Sequence, residues 1–221
     1  MSTEMKYAPE TIDQFVFATD ELEESIAMYL QGDTNKTLVL YGPYGSGKST
    51  LARLLPSAIE GKAAVSHKMP HSEFLKNDFV LKKLNQKNIY ESLYEPADQS
   101  RDYLIIDEAT KTNDKDMATV RWALDLFPRD CLMIFTTNYP EALDRAFNSR
   151  ARFVEVPTIP PERFLARAQH ILRTEGLSCP DSAVIDLLKN AYERYCDNRK
   201  YFEALDTLLF RAKLEQQRKA A

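Results

Sequence analysis

The segment that most restricts the fold is a glycine-rich loop, Gly42-Pro-Tyr-Gly-Ser-Gly-Lys48-Ser49, which fits the pattern GxxxxGK[ST]. The apolar run before it, residues 37–41, is typical of a buried β-strand. The residues after it, 49–59, have the apolar spacing of a helix. A strand that passes through a tight glycine turn directly into a helix satisfies all three signals. The sequence therefore predicts a strand–loop–helix unit that holds phosphate groups.

The chemistry of this loop follows from its backbone. Glycines let successive N–H groups turn towards phosphate oxygens, and the helix that follows adds the positive end of its dipole. Lys48 is predicted to reach the β- and γ-phosphates of ATP, and Ser49 to ligate Mg²⁺. A plain glycine turn is the structural alternative, and the flanking strand and helix argue against it. The predicted nucleotide-binding residues are Gly42, Pro43, Tyr44, Gly45, Ser46, Gly47, Lys48, Ser49 and Thr50.

Short apolar runs alternate with longer segments of helical spacing in the first part of the chain. The runs that predict strands are residues 37–41, 62–66, 103–107, 131–136 and 152–156. The main helical patterns between them are residues 49–59, 72–86 and 116–127. Strands that alternate with helices predict a doubly wound α/β domain with a parallel five-stranded sheet. We place this domain at residues 1–157.

The pattern changes at residues 156–162, where three prolines in seven residues are typical of a linker. Only helical patterns follow. The first ends at Gly176, the second begins near Pro180, and the third covers about Arg199–Leu214. The sequence therefore predicts a small all-helical domain at residues 158–221.

Polar residues stand at the ends of two predicted strands. Asp107 and Glu108 end the third apolar run, and Asn138 follows the fourth. In an open α/β sheet, ligands bind at the carboxyl ends of the strands, which is also the edge that carries the glycine-rich loop. Asp107 is therefore predicted to hold Mg²⁺, and Glu108 to polarise the attacking water. Asn138 is predicted to hold that water or to touch the γ-phosphate, with a simple turn as the alternative.

With these residues in place, the chain resembles the AAA+ ATPases, and within them the small subunits of the clamp loaders of DNA replication. The similarity covers residues 7–212. It departs from the family pattern at Ala151, where cysteine is usual, and at Cys196, where glycine is usual. The motifs that carry it are Tyr7–Phe15, the glycine-rich loop, IIDEA (105–109), TTN (136–138), Asn148-Ser-Arg150-Ala-Arg152 and Asp197–Leu205.

The resemblance implies further roles. Ile12 and Phe15 would border the adenine. Arg150 would be an arginine finger that enters the ATP site of a neighbouring subunit, with Arg152 as the second candidate, and Arg199 would contact the phosphates from the helical lid. The bland alternative is that these arginines are ordinary surface residues. A finger acting in trans implies a ring or spiral homo-oligomer with ATP at the subunit interfaces.

The charge distribution bears on the partners. The net charge of −4 excludes a uniformly basic nucleic-acid binder, but segment 62–87 carries six lysines against two acidic residues. We expect this segment to bind DNA phosphates without sequence preference, and a solvated helix face is the alternative. The clamp-loader resemblance implies work in DNA replication or recombination, with a replication protein as a possible partner.

Several expectations stay open at the level of sequence. Clamp-loader subunits continue into a collar domain, whereas this sequence ends at Ala221, so we expect either a shortened chain or assembly through the ATPase domains alone. A protein-remodelling or scaffold ATPase without direct DNA binding is the main alternative. A viral-type ring helicase fits less well because the Arg199 motif and the Tyr7–Phe15 segment do not belong to its pattern. A small-molecule kinase would not need Asn138 and the downstream arginines.

The location of the protein is also predicted from composition. No run approaches the roughly 18 apolar residues that a membrane helix needs, and the polar, acidic start is not a secretory signal. The cysteines, Cys131, Cys179 and Cys196, form no CxxC pair. We therefore expect a cytoplasmic protein with reduced thiols and no membrane contact.

Overall fold

A computed structural model describes residues 2–75, 101–110, 120–121, 123–125, 131–143 and 145–220. Two of the predicted helical patterns lie mostly outside these residues. The pattern at 72–86 is described only as far as residue 75. That at 116–127 is described only at residues 120–121 and 123–125, which are helical.

The described strands form one five-stranded sheet in the order β2-β3-β4-β1-β5. Every pair of neighbours is parallel, as the sequence predicts. The strands are β1 (Thr37–Tyr41), β2 (Ser66–Pro70), β3 (Asp102–Asp107), β4 (Cys131–Thr137) and β5 (Ala151–Glu155). Because Tyr41 is paired with Thr137, and Ile106 with Phe135, the carboxyl ends of β1, β3 and β4 lie at one edge of the sheet.

The position of β2 differs from the prediction. The apolar residues at 62–66 suggested a strand there, but the strand begins at Ser66 and Val65 is 76% exposed. The observed strand, SHKMP, buries only Met69 because it is the edge strand next to β3. An edge strand with mostly polar side chains lacks the apolar run that marks the central strands.

Helices precede, separate and follow the described strands. They are α1 (Thr3–Lys6), α2 (Asp20–Leu30), α3 (Lys48–Glu60), α4 (His71–Phe74), α5 (Arg145–Arg150), α6 (Pro161–Thr174), α7 (Asp181–Tyr195) and α8 (Arg199–Ala220), with short 3-10 turns at Ile12–Gln14 and Pro140–Ala142. Within the described ranges, no helix is both long enough and apolar enough to cross a membrane.

Contacts group the chain into two compact units. The helical unit comprises Met1–Glu23, Pro43–Gly47 and Val156–Ala221, and the sheet unit comprises Glu24–Gly42 and Lys48–Glu155. The division of the chain at 157/158 remains a proposal about its domain organisation. The phosphate loop has residues in both units, because Gly42 and Lys48 group with the sheet and Pro43–Gly47 with the helices.

Aromatic rings fill the core of each unit. In the sheet unit, Phe135 of β4 makes edge-to-face contacts with Phe74 and Phe147 at centroid distances of 5.8 and 5.2 Å. In the helical unit, Phe164 of α6 stacks on Tyr201 of α8 at 4.8 Å. The Tyr201 hydroxyl donates a hydrogen bond to the Ile159 carbonyl at 2.6 Å, so this buried polar group is satisfied. The predicted helical part of the chain is thus confirmed, with its own core.

Phe135→Ala should lower the free energy of unfolding by about 3–5 kcal/mol, because Phe135 is fully buried and its removal leaves a cavity against two other rings. Phe210→Ala is the matched control, since Phe210 is 63% exposed, and it should change stability by less than about 0.5 kcal/mol. Urea denaturation followed by circular dichroism measures both. Equal effects of the two substitutions would contradict this description of the core.

Candidate functional site

The carboxyl ends of β3 and β4 are joined by a set of short hydrogen bonds in the sheet unit. The Thr136 hydroxyl donates to Asp107 Oδ1 at 2.5 Å and accepts from the Glu108 amide at 3.1 Å. The Ala109 amide donates to the Thr136 carbonyl at 2.7 Å, and the Thr137 hydroxyl donates to the Ala109 carbonyl at 2.6 Å. The last residues of β4 therefore fix Asp107, which ends β3, and the two residues that follow it.

Asp107 also contacts both the phosphate loop's helix and the edge strand. The Ser49 hydroxyl, in the first turn of α3, donates to Asp107 Oδ1 at 2.9 Å. The Lys68 ammonium of β2 lies 2.7 Å from Asp107 Oδ2. The two residues predicted to hold Mg²⁺, Ser49 and Asp107, thus lie in direct contact. Lys68 and Thr136 belong to this cluster although the sequence analysis did not assign them to it.

These contacts control the charge of Asp107. Burial raises the pKa of its carboxyl, but hydrogen bonds from Lys68, Thr136 and Ser49 outweigh burial and hold the pKa below its ordinary value. Asp107 is therefore ionised at neutral pH. A carboxylate with neighbouring hydroxyl oxygens suits Mg²⁺, which binds oxygen ligands and shares its coordination sphere with substrate phosphates. The donor set fits that ion, with Ser49 and Asp107 as the residues that would hold it.

Glu108 differs from its neighbour in backbone and exposure. Its φ of 55° lies in the left-handed region, which costs a residue other than glycine on the order of 1–3 kcal/mol and is concentrated at functional sites. The hydrogen bond from its amide to Thr136 holds this conformation, and its side chain is exposed. Asn138, directly after β4, is half-buried. The roles of Glu108 and Asn138 in activating water remain predictions.

Lys48 opens α3 and is 8% exposed. Its ammonium donates to the Gly42 carbonyl at 3.0 Å, and the Gly42 amide donates to the Thr137 carbonyl at 3.3 Å. The start of the phosphate loop is therefore tied to β4, and the charge of Lys48 is kept near the loop's first residue. The N-terminus of α3 adds positive potential at the same position.

The remainder of the loop, Pro43–Gly47, is held by residues of the helical unit. The Asn198 amide donates to the Ser46 carbonyl at 3.0 Å. Gly45 has a φ of 69°, and a Cβ atom there would lie 1.8 Å from Asp197 Oδ1. A Cβ atom on Gly47 would lie 3.4 Å from the Phe15 ring. Glycine is therefore required at position 45 for both its backbone and its close approach to Asp197.

Two predicted nucleotide-binding residues lie in this same unit. Phe15 packs on Gly47 and makes an edge-to-face contact with Phe17 at 5.1 Å, which places an aromatic ring beside the loop. Ile12 is half-buried in a 3-10 turn. Tyr44 and Ser49 are exposed, and Thr50 is half-buried. Contact with adenine remains a prediction for Ile12 and Phe15.

Arg199 is the first residue of α8 and forms a two-pronged ion pair with Asp197. The distances are 2.8 Å from Nη2 to Oδ2 and 3.1 Å from Nε to Oδ1. Asp197 and Asn198 were not predicted as site residues. The signal that could have found them is their position directly before Arg199, where short polar residues commonly begin a helix.

Arg150, the predicted finger, is the last residue of α5. It pairs with Asp125, with Nε 2.5 Å from Oδ1 and Nη2 3.2 Å from Oδ2. Its side chain is 36% exposed. Arg152, the second candidate, lies on β5 opposite Leu38 of β1. The role of an arginine finger remains a prediction for Arg150 and, as the second candidate, for Arg152.

The predicted DNA-binding segment 62–87 is described only in part. Lys62 is exposed, whereas Lys68 is engaged with Asp107. The lysines at 76, 82, 83 and 87 lie outside the described residues. Lys68 thus differs from the expectation that the whole segment faces DNA phosphates, because its ammonium pairs with a carboxylate at the predicted metal site.

The sequence is similar to those of known ATPases and replication proteins. The family described as "ATPase family associated with various cellular activities (AAA)" matches residues 38–160, more than half of the chain. Replication factor C small subunit 2 of Pyrobaculum arsenaticum is 22% identical over 188 residues, which cover 81% of this chain and 55% of the relative. Replication factor C subunit 3 of Saccharomyces cerevisiae is 24% identical over 180 residues, covering 80% and 52%.

The fold is shared with a solved structure. The RuvB Holliday junction branch migration motor of Thermotoga maritima superposes with a TM-score of 0.66 at 19% identity, covering 90% of this chain and 64% of that chain. This superposition confirms the predicted α/β fold and the helical region that follows it. The chain spans about half the length of the curated relatives it matches.

Asp107→Asn should weaken Mg²⁺-dependent binding of ATP by about tenfold or more, because the charge that attracts the cation is lost while an acceptor oxygen remains for Ser49 and Thr136. Glu108→Gln, the matched change one residue later, should retain Mg²⁺-dependent binding. Titration of a fluorescent ATP analogue with Mg²⁺ and with a chelator measures this. Unchanged Mg²⁺ dependence in Asp107→Asn would remove Asp107 from the metal site.

Proposed function

Because the chain belongs to the family of ATPases associated with various cellular activities, we propose that it hydrolyses ATP in DNA replication or recombination, assembled around DNA with ATP at its subunit interfaces. The observation that carries the ATPase part is the contact between Ser49 and Asp107 at the carboxyl edge of the sheet. It joins the two residue types that the phosphate-loop chemistry requires. The relatives named replication factor C and RuvB support the DNA part.

In this proposal the loop amides and Lys48 bind the phosphates of ATP. Ser49 and Asp107 hold Mg²⁺, which when bound neutralises phosphate charge. Glu108 accepts a hydrogen bond from the attacking water and polarises it, and Asn138 orients that water towards the γ-phosphorus. The water oxygen forms a bond to the γ-phosphorus while the bond from that phosphorus to the β–γ bridging oxygen breaks. ADP leaves with the bridging oxygen, inorganic phosphate forms, and the water proton passes to Glu108 and from there to solvent. The left-handed backbone and exposure of Glu108 suit a carboxylate that must reach a water molecule.

Arg199 acts on the phosphates of its own subunit and Arg150 on those of a neighbour. A guanidinium that enters from another subunit completes the site only after assembly, which makes turnover depend on protein concentration. Arg150 is a suitable donor because it is partly exposed at the end of α5. The assembly is a ring or a spiral of identical subunits.

DNA binds in this proposal through the lysines of segment 62–87 other than Lys68, without sequence preference. Such phosphate contacts make binding strongly dependent on salt. A replication protein is a further partner that this assembly would load or release. A protein-remodelling ATPase without DNA binding is the competing function, which the experiment on DNA below distinguishes.

Arg150→Ala should lower turnover about 10³-fold while ATP affinity stays near wild type, because a trans-acting guanidinium stabilises the transition state of the neighbouring site. Arg173→Ala, which removes an exposed arginine of α6, is the control and should be neutral. Mixing Arg150→Ala with Lys48→Ala should restore part of the activity, since one subunit supplies ATP and the other supplies the finger. Full activity of Arg150→Ala alone would exclude this role and leave Arg152 as the candidate.

ATPase rate should rise steeply with protein concentration, and single- or double-stranded DNA at low salt should increase it further. Subunit interfaces cause the first effect and lysine–phosphate contacts the second, so the DNA effect should fall as salt rises. The measurement is the rate across a dilution series with and without DNA. A rate that depends neither on protein concentration nor on DNA would refute both the assembly and the DNA role. Stimulation by an added partner protein but not by DNA would favour the remodelling function.

A further inference from the structure

The turn that precedes α8, residues 196–199, is attached to the phosphate loop within the helical unit. Asn198 is 7% exposed and uses both ends of its side chain amide. Its Nδ2 donates to the Ser46 carbonyl at 3.0 Å, and its Oδ1 accepts from the Ile159 amide at 2.9 Å. The Thr158 hydroxyl donates to the Cys196 carbonyl at 2.8 Å. The turn therefore has a fixed position relative to the loop.

This attachment brings an anionic group against the phosphate loop. Asp197 lies very close to Gly45, because a Cβ atom added to that glycine would be only 1.8 Å from Asp197 Oδ1. Its side chain is only 17% exposed. The carboxylate also accepts hydrogen bonds from the backbone amide of Arg199 at 2.9 Å and from the guanidinium in two-pronged geometry.

Asp197 keeps its charge in this environment. Burial raises the pKa of its carboxyl, but the side-chain and backbone hydrogen bonds from Arg199 lower it further than burial raises it. An ionised carboxylate therefore lies beside a loop whose amides attract phosphate. Asp197 repels phosphate, and it binds the guanidinium that phosphate would otherwise bind, because both anions can pair with arginine in two-pronged geometry.

We propose that Asp197 is a positioning residue, which holds Arg199 beside the phosphate loop and competes with the nucleotide's phosphates for its guanidinium. Asp197 thereby lowers the affinity of the site, and it lowers it most for the nucleotide whose phosphates draw most strongly on Arg199, because that nucleotide must displace the carboxylate. ATP, with one phosphoryl group more than ADP, displaces Asp197 more completely. This inference rests on the proposed function, because it assumes that the loop binds nucleotide.

The decisive variant is Asp197→Asn. Asparagine keeps the shape of the side chain and an oxygen that accepts from the Arg199 amide, so the start of α8 is preserved. Only the charge is removed. Glu203→Gln is the matched control, because it removes one carboxylate of α8 that pairs with Lys200 and leaves the turn at 196–199 intact. Arg199→Ala and the double variant Asp197→Asn with Arg199→Ala complete the set.

The measurement is equilibrium binding of a fluorescent non-hydrolysable ATP analogue and of fluorescent ADP, each with Mg²⁺. Asp197→Asn should bind the ATP analogue about fivefold more tightly, with a smaller gain for ADP, because a nearby like charge is lost and Arg199 is released. Glu203→Gln should stay within about twofold of wild type. In the Arg199→Ala background, the effect of Asp197→Asn should shrink to less than about twofold, because the guanidinium that the two anions share is gone.

The other outcomes test separately the competition by Asp197 and the proposed binding of nucleotide. Unchanged or weaker binding by Asp197→Asn overturns the competition. An equal gain with and without Arg199 also overturns it, because simple repulsion then explains the effect. Unaltered binding by Arg199→Ala removes Arg199 from phosphate contact. Wild-type protein that binds neither nucleotide refutes the proposed function itself, whatever the variants do.

Discussion

The arrangement at the carboxyl edge of the sheet depends on one hydroxyl group, that of Thr136. It donates to the Asp107 carboxylate and accepts from the Glu108 amide, which a hydroxyl can do because it has one proton and two lone pairs. Thr136 is brought to these partners by the parallel pairing of β3 and β4. A pairing between two strands thus fixes the positions of two carboxylates that are neighbours in sequence.

The same contact explains why these two carboxylates differ. Asp107 ends β3 in extended backbone and is held by Ser49, Thr136 and Lys68, which keep its pKa low. Glu108 turns into the left-handed region, so the strand ends there and the side chain becomes exposed. One residue suits a fixed ligand and the other a group that meets water. The strained backbone separates the two environments over a single peptide bond.

Local signals in the sequence predicted the central strands, the phosphate loop and the carboxylates, because apolar runs and glycine spacing act over a few residues. The predicted position of β2 was wrong, because an edge strand with polar side chains gives no apolar run in the sequence. Asp197 and Lys68 were not predicted as residues of the nucleotide or metal site, for another reason. Their partners, Gly45 and Asp107, are distant in sequence, and only the fold brings each pair together.

Three cations share a common feature, namely the two arginines proposed for ATP chemistry and Lys68 of the Asp107 cluster, because each pairs with an aspartate. Arg150 pairs with Asp125 and Arg199 with Asp197, and Lys68 pairs with the carboxylate predicted to hold Mg²⁺. Partly exposed ion pairs of this kind contribute little net stability, because water solvates the separated charges well. Little free energy is therefore lost when phosphate replaces the carboxylate beside an arginine, or when Mg²⁺ replaces Lys68 beside Asp107. In the proposed function, Asp125 and Asp197 keep the two guanidinium groups in defined places without binding them so tightly that phosphate could not displace the carboxylates.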